Sequence, residues 1–253
     1  MKLASTINRY LKIAGVKLVR IEPTKHPYTN IFDPESRDPD GMTAEAKKLM
    51  NLLSYTKGSS HTYNGALYES GYHTIVIDGK RFQGQRDPAQ RLESVPFDFQ
   101  GASVLDLGSN QGGMLFAVAD KIRSGVGVDF DYKMVNVANR ITRSKNLDNL
   151  NFYVFDLEKE NLQVLRNLLS SRTVDIIFLL AVCMWISNWK QVIDFAASVS
   201  NNLLFESNGT ADQQANQEHY LATKYQHVIK VRDTSPDNPA DPRKLFLCEN
   251  LPH

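Results

Sequence analysis

A short apolar run followed by a turn of small residues constrains the fold more than any other part of the 253-residue chain. This segment reads VLDLGSNQGG at 104–113. Small residues let the backbone turn sharply and let a ligand approach it closely. A helix that begins directly after such a turn points its N–H groups and the positive end of its dipole toward that ligand. The segment therefore predicts a strand, a ligand-binding turn and a helix.

From Phe99 onward, short apolar runs alternate with longer amphipathic stretches. The predicted strands are ASVLDLG, GVGVDFD, NFYVFDLE, VDIIFLLAV, NNLLFESNG, QHVIKVRD and RKLFLCENL. The predicted helices are GGMLFAVADKI, KMVNVANRITRS, NWKQVIDFAASVS and ADQQANQEHYLATKY. Apolar strands that alternate with helices predict an α/β fold, a mostly parallel seven-stranded sheet covered on both faces. The loop TSPDNPADP is too short and too rich in proline for a helix, so the last two strands should be antiparallel.

Composition and charge narrow the class of protein. Hydrophobic residues make up 42% of the chain and charged residues 23%, which is ordinary for a soluble globular protein with one main core. Lys and Arg number 29 against 28 Asp and Glu, so no overall positive field draws the chain to nucleic acid. Cys183 and Cys248 lie in apolar stretches, which favours buried reduced thiols over a disulfide or a metal site. Because the N-terminus lacks the apolar core of a secretory signal, we expect a cytoplasmic protein.

The N-terminal part of the chain differs from the rest in its residue pattern. Residues 1–25 carry six basic side chains, one acidic side chain and an apolar stripe at helical spacing. Two interpretations stay open, a helix packed on the main domain and an interfacial helix resting on anionic lipid. Four prolines in 23–41 indicate a connector, after which a helix capped by Thr43 and a hairpin at Asp78-Gly79 are predicted. We expect 1–95 to form an accessory segment that acts as a lid, and 96–253 to form the main domain.

Three aspartates end three successive predicted strands. Asp129, 21 positions after Gly108, is placed to accept hydrogen bonds from a ribose diol. Asp156 is placed to meet the exocyclic amine of an adenine, and Phe130 and Leu157 to cover the faces of its ring. Each carboxylate alone is equally well explained as a solvated strand end or a helix cap. The ordered set, with Asp106 on the first strand, predicts an adenosine site.

The charge of this site favours S-adenosylmethionine over a dinucleotide. S-adenosylmethionine has no pyrophosphate and carries positive charge, so nearby carboxylates attract it. The dinucleotide pattern G-x-G-x-x-G is broken because Asn110 occupies the second glycine position. Asn tolerates positive φ, so the turn itself is retained.

These residues resemble the class I S-adenosylmethionine-dependent methyltransferases. The first motif of that family, D/E-x-G-x-G-x-G, is matched by Asp106, Gly108 and Gly112, with a departure at Asn110. The resemblance runs from about Phe99 to the C-terminus and implies a Rossmann-like sheet with an antiparallel last strand. It also implies cofactor-binding roles: the methionine end at Gly108 and Asp106, the ribose at Asp129, the adenine at Asp156, and Leu180 or Ala181 beside the cofactor.

A second resemblance lies upstream of the first strand. GQRDPAQRL at 84–92 is similar to the R-D-x-x-Q-R-L segment of the bifunctional methyltransferase and kinase family that caps some bacterial O-antigen chains. That resemblance implies that Arg86 clamps the cofactor carboxylate, a role suited to a bidentate guanidinium. The alternative is a surface arginine that caps a helix. Arg91, one helical turn on, is interpreted as structural or as facing the substrate.

The acceptor is less defined by the sequence. After the fourth strand, AVCMWISNW contains no general base, although an acceptor that is already anionic would need none. Trp185 and Trp189 lie four apart, as on one helical face, and either pack the core or form an acceptor wall. Candidate catalytic bases elsewhere are Glu206 and His219, with His61 and His73 as further candidates.

The leading hypothesis is an O-methyltransferase acting on a small molecule or on a glycan or phosphate acceptor in surface-polysaccharide or secondary metabolism. A tRNA-modifying methyltransferase is the alternative within the same class of enzyme, and the near-neutral charge argues against it. A dinucleotide-dependent oxidoreductase and a non-catalytic cofactor-binding module are the alternatives from other classes.

Overall fold

A computed structural model describes residues 41–56, 69–77, 79–236 and 242–251. The chain divides into two compact units, 1–44 and 45–253. The predicted basic helix at 1–25, the connector up to residue 40, His61 and the hairpin residue Asp78 all lie outside the described residues. Within the described ranges, no helix is long and apolar enough to cross a membrane.

The part of the chain that precedes the main sheet forms short elements. They are α1 (Ala44–Thr56), β1 (Gly71–His73), β2 (Ile75–Ile77), β3 (Lys80–Phe82), β4 (Gly84–Arg86) and α2 (Pro88–Leu92). The predicted helix after Thr43 and the predicted hairpin are both confirmed, since β2 and β3 pair antiparallel. β1 and β4 form a separate parallel pair.

The remaining strands form one sheet of seven. They are β5 (Ser103–Leu107), β6 (Ser124–Asp129), β7 (Leu150–Val154), β8 (Ile176–Leu180), β9 (Asn202–Glu206), β10 (His227–Arg232) and β11 (Leu245–Glu249). Their order is β10-β11-β9-β8-β5-β6-β7, and β11 runs antiparallel to both of its neighbours. This confirms the predicted Rossmann-like sheet. The chain proceeds from β5 outward to β7 and then returns to the other side of β5, so the ligand crevice is expected at the carboxyl ends of β5 and β8.

Helical segments connect these strands. They are α3 (Gly113–Phe116), α4 (Tyr132–Ser144), a 3₁₀ helix (Leu162–Leu168), a 3₁₀ turn (Cys183–Trp185), α5 (Trp189–Val199) and α6 (Ala211–Ala222). The first predicted helix is much shorter than the sequence indicates. After Phe116 the backbone bonds tighten to i→i+3, with Val118 N bound to Leu115 O at 3.2 Å.

Both faces of the sheet are buried. Alternate residues of the central strands enter two apolar clusters, Leu105 and Ile177 on one face and Val104 and Ile176 on the other. The core therefore holds the strands rigidly and fixes the positions of the loops at their carboxyl ends. Cys183 and Cys248 are free and buried, as predicted.

Candidate active site

The turn after β5 has an alternating backbone conformation. Gly108, Asn110 and Gly112 have φ of +84°, +48° and +80°. Asn110 adopts the positive φ predicted for it. Gly108 has a second constraint, because a Cβ atom there would lie 2.6 Å from Cγ2 of Val182 in the loop after β8. The two loops that flank the topological switch point are therefore in direct contact.

The prediction that a helix dipole points toward a ligand at this turn is largely wrong. A macrodipole needs several aligned peptide units, and α3 has only four residues. The N–H of Gly113 also donates to Nδ1 of His73 at 3.2 Å, so it does not face a ligand. The site therefore depends on its side chains more than on the helix.

Two buried carboxylates define the electrostatics of the site. Asp106 is 2% exposed, and its Oδ2 has no hydrogen-bond partner among the described residues. Burial raises the pKa of Asp106 to about 7, an effect that Arg91 opposes and Asp129 reinforces. Burial likewise raises the pKa of Asp129 to about 6, although Asp129 accepts the N–H groups of Asn110 and Asp131, both at 2.9 Å. Removal of these carboxylates from water makes a cationic ligand favourable here.

The predicted adenine-facing residues follow β6 and β7. Phe155 N donates to Asp129 O at 2.9 Å, which joins the ends of the two strands. Asp156 accepts from Glu158 N at 3.0 Å and pairs with Lys159 at 2.9 Å, and the hydrogen bond from Lys159 is the main cause of its lowered pKa.

The two residues predicted to cover the adenine ring differ in burial. Phe130 is 72% exposed, whereas Leu157 packs in the apolar core. The adenine roles of Phe130, Asp156 and Leu157 stay predictions, and the hydrogen bonds of Asp156 within the turn that follows it are observed.

The accessory segment is joined to the turn after β5 by Gln111, which sequence reasoning missed. The side chain of Gln111 is fully buried. Its Oε1 accepts the N–H groups of Tyr72 and His73, at 3.2 and 3.1 Å. Its Nε2 donates to Oγ1 of Thr56 and to the carbonyl of Ser70, at 2.8 and 3.1 Å. His73 is thereby part of this attachment, since its Nδ1 accepts from the same turn.

The two arginines of the upstream segment are both buried. Arg86 lies at the end of β4 and donates to Oγ of Ser235 at 3.3 Å. The alternative of a surface arginine that caps a helix is wrong, because Arg86 is 2% exposed and Asp87 caps α2. Its role as a carboxylate clamp stays a prediction. Arg91 donates to Oε2 of Glu206 at 2.6 Å.

The candidate bases are placed differently from one another. Glu206 is buried at the end of β9 in the ion pair with Arg91, which argues against a free catalytic carboxylate. His219 is exposed in the last turn of α6. A catalytic role for either residue stays a prediction.

The loop after β8 is fixed by Asn208, a second residue that sequence reasoning missed. Ala181 has φ of +59°, an uncommon value for a residue with a Cβ atom. The fully buried Asn208 donates to Ala181 O at 2.5 Å and accepts from Met184 N at 3.0 Å. Its own backbone N–H and C=O are bound by Gln217, at 3.1 and 2.9 Å. Ala181 therefore lies in a rigid loop, directly after Leu180 at the end of β8.

The two tryptophans do not share a helical face, contrary to the prediction. Trp185 ends the 3₁₀ turn and is 58% exposed, whereas Trp189 begins α5. The ring of Trp189 packs edge to face with that of Tyr220, with centroids 5.4 Å apart. The chain breaks the helical register between them, since Ile186 is extended.

Comparisons with known proteins agree with this geometry. The family model described as a methyltransferase domain matches residues 98–229, which is more than half of the chain. A search of curated protein sequences finds no match.

Solved structures share the fold at low sequence identity. The N-terminal domain of EvdMO1 with SAH bound has a TM-score of 0.59 and 13% identity, covering 81% of this chain and 95% of that one. The bifunctional kinase-methyltransferase WbdD has a TM-score of 0.56 and 20% identity, covering 71% of this chain and 43% of that one. A putative methyltransferase from Haloferax volcanii, in complex with the Trm112 activator, has a TM-score of 0.52 and 16% identity, covering 65% and 88%.

The matched region contains β5 to β9, the first half of β10, the turn after β5 and the buried carboxylates at the switch point. The chain therefore belongs to the methyltransferase domain family and is a class I S-adenosylmethionine-dependent methyltransferase.

Proposed function

We propose that this enzyme methylates an oxygen atom of a small-molecule or glycan acceptor, in surface-polysaccharide or secondary metabolism. Family membership decides against a dinucleotide-dependent oxidoreductase. The acceptor class is supported by one fold neighbour, because the N-terminal domain of EvdMO1 was also crystallised in the presence of SAH and D-fucose. The near-neutral charge of the chain gives less support to a tRNA substrate, for which clustered cations would be expected.

The residues of the crevice fit S-adenosylmethionine. The single observation that carries the proposal is the pair of buried carboxylates, because Oδ2 of Asp106 has no hydrogen-bond partner within the described ranges. The ligand brings an ammonium group and a sulfonium, and either would compensate the buried charge. Asp129 would hold the ribose hydroxyls, Phe130 would cover the adenine, and Arg86 would bind the carboxylate. When bound, the cofactor supplies an electrophilic methyl group.

The chain itself mainly has to position the acceptor. Alignment of two reactants in one site replaces a bimolecular encounter, which is the principal contribution expected of the protein in a displacement at a methyl group. A hydroxyl acceptor loses a proton, but Glu206 could accept it only by leaving Arg91. We therefore propose that the proton passes to solvent, and that residues 1–95 include a lid that orders the acceptor.

Two measurements test the proposed function. Labelled S-adenosylmethionine is incubated with the protein and with metabolite or cell-envelope extracts, and the methylated product is identified by mass spectrometry. A methyl ether on a sugar or small molecule is the expected product, and a methylated tRNA base would contradict the proposal. In calorimetry, Asp129→Ala should weaken S-adenosylhomocysteine binding by about 1–3 kcal/mol, the cost of losing a charged hydrogen-bond partner. Equal affinity of the variant and the native chain would remove Asp129 from the site.

Cofactor binding without methylation of any component of the metabolite or cell-envelope extracts would instead identify a non-catalytic module. The exposed Asp120→Ala is the matched control for Asp129→Ala, since Asp120 lies in the turn after α3 and outside the crevice. The control should bind S-adenosylhomocysteine like the native chain. A comparable loss in both variants would show that the effect at Asp129 is nonspecific.

A further inference from the structure

A cleft of about 400 Å³ opens beside the loop that follows β8. It is lined on one side by residues 183–187 and Trp189, and on the other by three amide side chains of α6, Gln213, Asn216 and Gln217. This volume lies at the small end of the range for small-molecule sites, roughly 300–1,000 Å³. The cleft therefore has room for a ligand no larger than a small metabolite or part of a larger acceptor.

The cleft adjoins the cofactor loop through two residues. The turn Cys183–Trp185 directly follows Ala181 and Val182, and Cγ2 of Val182 lies against the Cα of Gly108. Gly108 belongs to the turn that would hold the methionine end of the cofactor. A ligand in the cleft would thus be next to the part of the crevice where the methyl group is delivered.

The wall of the cleft is held in an unusual backbone conformation. The left-handed φ of Ala181 is strained, because the Cβ atom crowds the following carbonyl. Asn208 donates to Ala181 O and accepts from Met184 N, three residues further along the loop, and so opposes relaxation. Such strain persists where the surrounding structure over-determines it, which is common at binding sites. It fixes the position at which Trp185 emerges from the loop.

The chemistry of the lining is neutral. None of the described lining residues carries a charge. Glu158 lies just outside, where its Oε1 accepts from the N–H and the hydroxyl of Ser187, at 3.0 and 2.8 Å. Lys190 is near, with Nζ at 5.5 Å from the ring centroid of Trp189 and 5.3 Å from that of Tyr220. An anionic ligand would therefore meet no cationic partner among the lining residues, and the two charges outside the cleft, Glu158 and Lys190, are opposite in sign.

The remaining groups suit a polyhydroxylated ring. The indole of Trp185 is 58% exposed and Met184 is 38% exposed, so the cleft offers an aromatic face beside a polarizable side chain. The negative face of an indole attracts polarised C–H groups. Gln213 accepts Thr210 N through Oε1 at 2.8 Å and keeps its NH₂ to donate. Asn216 is exposed, and within the described structure both the oxygen and the NH₂ of its side-chain amide are available.

We propose that this cleft binds a neutral sugar ring of the acceptor, stacked on Trp185 and hydrogen-bonded through its hydroxyls by Gln213 and Asn216. The inference rests on the proposed function, since it names the part of the acceptor that the methyltransferase recognises. It goes beyond that function by assigning the specificity to this cleft and by excluding phosphorylated or carboxylated rings from it.

The chain contains only two tryptophans, and both line this cleft. Intrinsic tryptophan fluorescence therefore reports on the cleft alone. The protein, saturated with S-adenosylhomocysteine, is titrated with methyl glycopyranosides of common hexoses and 6-deoxyhexoses. Parallel titrations use glucose 6-phosphate and glucuronate. We expect saturable fluorescence changes with at least one neutral glycoside, and at least ~10-fold weaker binding of both anionic sugars.

Variants locate the binding. Trp185→Ala should weaken binding of the neutral glycoside by about tenfold, a loss typical of truncating an aromatic anchor. Trp185→Phe should keep part of the affinity. Asn216→Ala should weaken it less. Ile229→Ala, an exposed apolar position on β10, is the matched control and should bind like the native chain. For Trp185→Ala, Trp189 remains as the reporter.

Three outcomes would overturn the inference: no fluorescence change with any neutral glycoside, tighter binding of an anionic sugar, or equal affinity in Trp185→Ala and Ile229→Ala. Calorimetry with S-adenosylhomocysteine separates this failure from failure of the proposed function. Trp185→Ala should retain the affinity for S-adenosylhomocysteine, because Trp185 is outside the cofactor turn. Loss of cofactor binding in the native chain would reject the proposed function even if glycosides bind, whereas intact cofactor binding without any glycoside effect would reject only the cleft.

Discussion

The neutral amide in Asp106→Asn should stabilise the cofactor-free protein at alkaline pH. Burial raises the pKa of Asp106 from 3.8 to about 7, so the folded chain holds a proton that the unfolded chain has released. Between pH 4 and pH 7 the native state therefore binds more protons than the unfolded state, and its stability falls as the pH rises. The substitution removes this loss because an amide does not ionise.

The size of the effect follows from the same values. A rise from 3.8 to about 7 corresponds to about 4 kcal/mol above pH 7, at 1.36 kcal/mol for each pH unit. A buried amide without full hydrogen bonding costs about 1–3 kcal/mol in return. The net gain for Asp106→Asn is then roughly 1–3 kcal/mol at pH 8.5. At pH 5 only the first pH unit of the charge penalty has developed, so the two effects nearly cancel.

Urea denaturation of the free protein, followed by tryptophan fluorescence at pH 5, 6, 7 and 8.5, measures this difference. We subtract the unfolding free energy of the native chain from that of Asp106→Asn. This difference should increase by about 3 kcal/mol from pH 5 to pH 8.5, because the variant becomes relatively more stable. The exposed Asp120→Asn should show no such trend. S-adenosylhomocysteine binding should weaken by about 10- to 100-fold in Asp106→Asn, since a charged hydrogen-bond partner is lost. A difference that stays constant across this pH range would refute the assignment of Asp106 as a desolvated carboxylate.

Three further substitutions test the packing around the site. Gly108→Ala should destabilise the protein by at least ~1 kcal/mol, because φ is positive and the new Cβ would meet Val182, and an unchanged denaturation midpoint would contradict the close approach. Glu206→Gln should cost about 3 kcal/mol or more in urea, because the buried Arg91 loses its ion-pair partner, and a neutral effect would show that the pair is dispensable. Asn208→Ala should lower the unfolding free energy by ~2 kcal/mol or more through the groups it leaves unbound, whereas a loss confined to turnover would assign Asn208 a purely catalytic role.

The fold was largely predictable because its sheet is buried on both faces. Such strands appear as uninterrupted apolar runs, and VDIIFLLAV and NNLLFESNG cannot be mistaken for surface segments. The loop before β11 predicted the antiparallel strand from its own composition, because it is too short and too rich in proline for a connecting helix. The helix after Gly112 was predicted too long, because its apolar pattern continues through 117–122 while the backbone there has already tightened into turns.

The site was predictable only where its chemistry is local in sequence. The glycine turn and the strand-end aspartates belong to consecutive elements, so spacing alone placed them together. Gln111 and Asn208 could not be identified in this way, because a buried glutamine or asparagine has no sequence signature. Their partners are also distant along the chain, 38 to 55 positions for Gln111 and 24 to 27 for the side chain of Asn208. The ion pair of Arg91 with Glu206 spans 115 positions.

The satisfied and unsatisfied polar groups at this end of the sheet together indicate where the ligand binds. Gln111, Asn208 and the pair of Arg91 with Glu206 are buried polar groups that bind protein partners, so they serve to fix three loops. Buried polar atoms without partners are costly and therefore rare. Two of those in the described structure, Oδ2 of Asp106 and Oγ of Ser109, lie within the same short stretch of chain at the switch point. The same end of the sheet thus holds both the fixed polar groups and two unsatisfied polar atoms, which is the arrangement expected of a site whose missing partners belong to a ligand.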